Sequence, residues 1–79
     1  MKTAKSDRQK AMSHIKNYLS VFEKNETFYG LILARYVREK IGRKDMFPDT
    51  VLRYMRDLRS KGELNYEVVN KKESEYIKL

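Results

Sequence analysis

The stretch from Pro48 to Tyr66, P-D-T-V-L-R-Y-M-R-D-L-R-S-K-G-E-L-N-Y, constrains the fold more than any other, because it joins a strong helix signal to a strand signal across one glycine. On a wheel stepped about 100° per residue, Val51, Met55 and Leu58 fall on one narrow apolar stripe. Asp49, Thr50, Arg53, Arg56 and Asp57 occupy the opposite arc, with Arg53 at its centre. A helix of this kind must lay its stripe against another apolar surface and leave its front in water. Pro48 suits the first helical turn, where its missing N–H has no partner to lose, and Asp49 complements the positive end of the helix dipole. The spacing predicts a helix over 48–61, stopped at Gly62. Leu64, Tyr66 and Val68 then alternate as a strand.

The same reading extends along the chain. Residues 1–6 look like a flexible basic arm, and 7–79 like one domain. Ser6 and Gln9 have capping-box spacing. Met12, Ile15, Leu19 and Phe22 recur with helical period and predict a first helix over 7–23, with Lys24-Asn25 as a polar stop. Glu26 to Tyr29 reads as a short strand or an extended lead-in. A second helix over 30–41 carries Leu33, Ala34, Val37 and Ile41 inward, with Gly42 closing it. Arg43-Lys44-Asp45 makes a charged turn, after which Met46-Phe47 is expected to pack back onto the core. Asn70 to Ser74 is a polar hairpin loop, and Tyr76 to Leu79 returns as a strand. The expected class is α+β: three helices with a small antiparallel β-hairpin.

Composition narrows the function classes. A 79-residue chain holds one small core. With no cysteine and a single histidine, His14, neither disulfides nor a His- or Cys-based metal site is expected. No nucleophile–base–orienter set and no phosphate-cradling glycine loop is present, so no catalysis and no cofactor are expected. No apolar run approaches membrane-spanning length and no signal-peptide core is seen, which makes a cytoplasmic protein without membrane association the expectation. Lys and Arg number 18 against 11 acids, for a net charge of +7. The excess lies before Gly62; beyond it, Lys71, Lys72 and Lys78 face Glu63, Glu67, Glu73 and Glu75. A field of this sign favours a polyanion such as nucleic acid.

A helix fixed by its back, with a short and mostly basic hydrogen-bonding front, meets the requirement for reading base edges in the major groove. With Thr50-Val51, Arg53, Leu58, Gly62, Leu64 and Tyr66 in place, and a second helix containing Ala34 before them, the chain resembles the winged helix-turn-helix superfamily. More narrowly it is similar to the small wing-bearing domains of prokaryotic and phage DNA-binding proteins. The resemblance covers about residues 8–79. It implies a third helix in the major groove of double-stranded DNA, a second helix across its back, and a hairpin wing near the backbone. Carried over by position, Asp49, Thr50, Arg53 and Tyr54 would face base edges. Arg35, Arg38, Arg43, Lys44, Arg56, Arg59, Lys71 and Lys72 would meet the phosphate backbone. Two departures stand out: the turn from Ile41 to Pro48 is longer than a tight helix-turn-helix turn, and Leu52 replaces a residue that is often small and polar.

Each position also has a plainer reading. Arg53 can clamp guanine O6 and N7 or be a solvated arginine. Asp57 can pair locally with Arg53 or Lys61, and Tyr54 can lean into the core. Arg56 and Arg59 can clamp phosphates or pair with the glutamates of the wing. Leu52, on the flank of the wheel, can cover the second helix, meet a thymine methyl or belong to a protein interface. Lys2, Lys5, Arg8 and Lys10 would suit a phosphate-tracking arm. Tyr18, Tyr29 and Tyr36 cannot all be inside so small a core, and a cluster of them outside would mark a partner surface. The expected function is sequence-dependent binding of double-stranded DNA by a transcriptional regulator, with a homodimer or companion protein as further partner. The alternative is a winged-helix protein–protein interaction module without intrinsic DNA binding.

Overall fold

A computed structural model of the chain describes residues 7–43 and 45–79. The basic arm 1–6, the Ser6 cap and Lys44 lie outside the described residues. The element order is α1 (Asp7–Ser20), β1 (Thr27–Tyr29), α2 (Gly30–Ile41), α3 (Pro48–Ser60), β2 (Tyr66–Asn70) and β3 (Glu75–Lys78). Three helices and a three-stranded antiparallel sheet make this a small α+β domain. The sheet order is β1-β3-β2, so the last strand returns between the other two. The strand pairing sets Phe28 opposite Tyr76 and Val68 opposite Tyr76, with an irregularity between Val68 and Asn70. An extra residue of this kind bends a strand and increases its twist.

The core forms where the three helices meet the inner face of the sheet. Ile15 and Leu19 from α1, Leu33 and Val37 from α2, and Val51, Met55 and Leu58 from α3 are fully or almost fully buried. Phe28 and Tyr66 close the core from the sheet side, and the Phe28 ring stacks on Tyr76 at 5.5 Å. Leu52 belongs to this core, at 6% exposure. Its room comes from Gly30, the first residue of α2: a Cβ there would stand 2.7 Å from Leu52 Cδ2 and 2.8 Å from Tyr76 Cε2. The flank position on the wheel is therefore filled from across the fold, and neither the thymine-methyl nor the interface reading of Leu52 holds.

Two helix ends follow their sequence signals. Gly42 (φ 71°) and Gly62 (φ 76°) adopt the left-handed conformation that lets the following amide reach back five residues, Arg43 N–H to Arg38 O and Glu63 N–H to Leu58 O. The first helix departs from expectation. It stops at Ser20 instead of running to residue 23. The Ser20 hydroxyl donates back to Asn17 O at 2.6 Å, and Lys78 from β3 donates its ammonium to Leu19 O (2.8 Å) and Phe22 O (2.6 Å). Leu19 O thus holds the ammonium beside the Phe22 N–H (3.1 Å), which closes the last turn, and Phe22 O takes the same cation just past the helix. The chain then reverses through Asn25 (φ 74°), whose N–H donates to Lys78 O. Phe22 still reaches the core edge, 5.8 Å from the Phe28 ring.

Met46 is half-buried as expected, whereas Phe47 is 76% exposed and does not pack back. Phe47 is the residue before a proline, held extended (φ −70°, ψ 144°) at the N-cap of α3. That backbone turns its ring away from the core.

Candidate nucleic-acid interface

The outward face of α3 is built by the burial of its back. With Val51, Leu52, Met55 and Leu58 inside, Asp49, Arg53, Arg56, Arg59 and Ser60 are exposed, and Thr50, Tyr54 and Asp57 are half-buried at the edges. Arg53 stands at the centre of this face and has no carboxylate partner among the described residues. Asp49 sits in the first turn, where its charge complements the helix dipole.

The two flanks of α3 differ. On one, Arg8 of α1 reaches across to Asp57 at 3.1 Å and lies 5.8 Å from the centre of the Tyr54 ring. The local pairing expected between Asp57 and Arg53 or Lys61 is therefore replaced by a contact between helices. A carboxylate at a helix edge takes the cation that the packing of α1 brings beside it. Arg8 is accordingly a residue of the α1–α3 seam and not of the arm, while Lys10 is exposed. On the other flank, Arg59 lies over the Tyr66 ring (4.5 Å to its centre) and donates to the Tyr66 carbonyl at 3.3 Å. Arg56, Arg59, Tyr66, Val68, Lys71 and Tyr76 line a cleft of about 340 Å³ between α3 and the β2–β3 hairpin.

Neither Arg56 nor Arg59 pairs with a hairpin glutamate. Glu63 turns instead to Lys16 of α1 (2.8 Å), whose hydrogen bond and charge hold its carboxyl below the ordinary range. Burial pushes the Tyr66 phenol up, and its hydroxyl has no hydrogen-bond partner among the described residues.

The remaining sequence candidates divide by their partners. Arg43 is committed to Asp7 and to Asp45 (3.1 Å), an arrangement that raises the guanidinium and lowers the Asp45 carboxyl, first through their hydrogen bond and then through charge. Arg35 stands 3.9 Å from Glu39, both well exposed. Arg35 and Arg38 line a second cleft of about 530 Å³ with Leu31, Glu39 and Pro48. Lys72 is exposed in the hairpin turn. The tyrosines separate: Tyr18 and Tyr36 come together at 5.1 Å on the α1–α2 seam, with His14 edge-on to Tyr36, while Tyr29 is exposed.

Two features escaped the sequence reading. Arg8 could be placed only once α1 was packed on α3. Leu31 and Ile32, each 54% exposed, had a visible signal: they fall off the stripe of Leu33, Ala34 and Val37. Among the described residues no group of His, Asp and Glu is arranged to hold a metal ion, and no helix is long and apolar enough to cross a membrane. Comparison with protein-family models, with curated proteins and with solved structures gives no match.

Proposed function

We propose that the chain is a winged helix-turn-helix domain that binds double-stranded DNA in a sequence-dependent way, as a small transcriptional regulator acting in the cytoplasm. The observation that carries this reading is the outward face of α3, where Arg53 stands exposed and without a carboxylate partner among the described residues, at the centre of a helix whose back is held by four buried side chains. Support comes also from the order of elements, with β1 ahead of the helix pair and the β2–β3 hairpin after it.

Charge distribution adds to it. Arg8, Lys16 and Arg43 are matched by carboxylates (Asp57, Glu63, and Asp7 with Asp45), whereas Arg53, Arg56, Arg59 and Lys71 have none among the described residues. In this mechanism the net positive field brings the duplex in, and α3 enters the major groove. Arg53 reads a guanine through its planar fork, with Thr50, Asp49 and Tyr54 at the margins. Dimerisation or a companion protein would enlarge what is a small footprint for one domain.

The test is a fluorescence-anisotropy titration of the full chain against duplexes at several salt concentrations. Affinity is expected to fall linearly on a log–log plot. Arg53→Ala is expected to lose about 1–3 kcal/mol of discrimination at one base pair while keeping its salt slope largely intact. Absence of duplex affinity at low salt would overturn the proposal.

One observation favours the second reading, a protein-docking module. Phe47 and Leu31 are exposed, and Leu31 with Pro48 lines the cleft beside Arg35 and Arg38. Of the two supports that the sequence offered for docking, the acidic hairpin remains, but Leu52 is in the core. Retained folding with no duplex binding would promote docking at the Leu31–Phe47 surface.

A further inference from the structure

Phe47 is the most exposed aromatic side chain among the described residues, at 76%. Its backbone is nonetheless fixed. The chain is extended there (φ −70°, ψ 144°), the proline that follows disfavours the helical alternative, and the Phe47 carbonyl accepts the Thr50 N–H at 3.0 Å. The ring therefore projects from a set point at the start of α3. Leu31 and Pro48 line the cleft beside α2, and Phe47 is not one of its walls.

Phe47, Thr50 and Tyr54 follow one another at i, i+3 and i+7, which places them in one row along the helix. Thr50 and Tyr54 are half-buried at the edge of the outward face that has Arg53 at its centre. Phe47 continues that edge past the N-terminus, and it is exposed where they are partly covered. It adds an apolar group to a face that otherwise presents Asp49, Thr50, Arg53 and Asp57.

A helix that reads the major groove approaches base edges with its N-terminal residues. Among the donors and acceptors displayed there, the 5-methyl of thymine is the one apolar group, and a phenyl ring is a suitable neighbour for it. Leu52, the other apolar residue that the sequence offered for such a contact, is buried against Gly30.

We infer that Phe47 packs on the 5-methyl group of a thymine and is a specificity-determining residue alongside Arg53. The inference rests on the DNA-binding reading and adds to it the kind of base pair that the start of α3 selects. The six residues from Phe47 to Arg53 advance about 9 Å along the helix axis. With α3 lying along the groove, that distance is roughly two to three base-pair steps of about 3.4 Å. The thymine is expected at that distance from the guanine that Arg53 reads.

The test removes the methyl group itself. The wild-type chain selects its site from a library of randomised duplexes, and each thymine of that site is replaced in turn by deoxyuridine, which leaves the pairing unchanged. Affinities are measured for wild type, Phe47→Ala and Val21→Ala, the last a control at an equally exposed apolar side chain (77%) just past α1. Loss of one buried methyl corresponds to about fourfold in affinity. Wild type and Val21→Ala are expected to weaken by about that factor at one thymine. Phe47→Ala is expected to bind the thymine and uracil forms alike while keeping its preference for the guanine.

Equal sensitivity to uracil in Phe47→Ala would overturn the contact. So would a wild-type chain that binds its duplex yet responds to uracil at no position. In both cases the DNA-binding reading stands. A folded wild-type chain without duplex affinity at low salt sinks both and leaves Phe47 to protein docking.

Discussion

Replacing Lys78 by methionine keeps the length of the side chain and removes its charge, which isolates what the ammonium does. In the folded chain Nζ donates to Leu19 O at 2.8 Å and to Phe22 O at 2.6 Å. It closes a helix whose own last turn contains no basic residue. Hydrogen bonds involving a charged group contribute about 1.5–3 kcal/mol each in favourable settings. A cation at a helix C-terminus adds about 0.3–1 kcal/mol. Against these stand about 1.5–2 kcal/mol for ordering a lysine side chain and the rehydration open to a half-buried site once the cation is gone.

The balance is a loss of about 2 kcal/mol for Lys78→Met. A domain of this length has a total stability on the order of 4–12 kcal/mol, so the loss is a large fraction of it. For 60–100 residues each kcal/mol lowers Tm by about 4–8 °C, which puts the expected fall near 8–16 °C. Thermal unfolding followed by circular dichroism measures it, with Lys16→Met as the comparison. Lys16 makes one exposed ion pair with Glu63, and its loss should cost about 0–1 kcal/mol and shrink with salt. The effect at Lys78 should persist in high salt. A Tm change below about 2 °C for Lys78→Met, or a loss that salt removes, would show that the two carbonyls are satisfied as well by water.

Other outcomes follow from the packing and the charges. Gly30→Ala should destabilise by about 1–3 kcal/mol despite the better helix propensity of alanine, since its Cβ meets Leu52 and Tyr76 below 3 Å; denaturant unfolding checks it. Leu52→Ala, by contrast, leaves a void against Gly30 and should cost about 2–5 kcal/mol in the same assay. The depressed carboxyls of Glu63 and Asp45 set an acid limb. Because their folded pKa lies below the ordinary values of 4.5 and 3.8, their contribution is present above those values and disappears as pH falls through the lowered ones. Lys16→Gln should flatten the part of that limb that belongs to Glu63, as read by Tm against pH.

Much of the secondary structure was legible because its causes are local. The periodic stripe of α3, Pro48 at its start, and Gly42 and Gly62 just past two helix ends are each settled within a few residues, and the fold keeps all of them. What failed had its cause elsewhere in the chain. Phe22 kept the period of α1, but the helix ends at Ser20, where a lysine from the last strand donates to Leu19 O and, just past the helix, to Phe22 O. Asp57 had two cations four residues away on its own helix, yet its partner is Arg8, brought over by the packing of α1 on α3. Of the two readings of Arg56 and Arg59, as phosphate clamps or as partners of the hairpin glutamates, only the second is set aside: Lys16 draws Glu63 away and Arg59 settles on Tyr66.

The proposed interface shows the same division. A wheel drawn on one helix put Arg53 outward, and that orientation follows from burying Val51, Met55 and Leu58 in any compact arrangement. The sequence by itself determined the helices, their glycine stops, the hairpin and the cationic front of α3, because dihedral preference and amphipathic period act over one or two turns. Tertiary structure alone decided which of those cations keep their charge uncompensated. That depends on which carboxylates distant elements bring within about 4 Å, and only the packing of α1, α3 and the hairpin sets those distances.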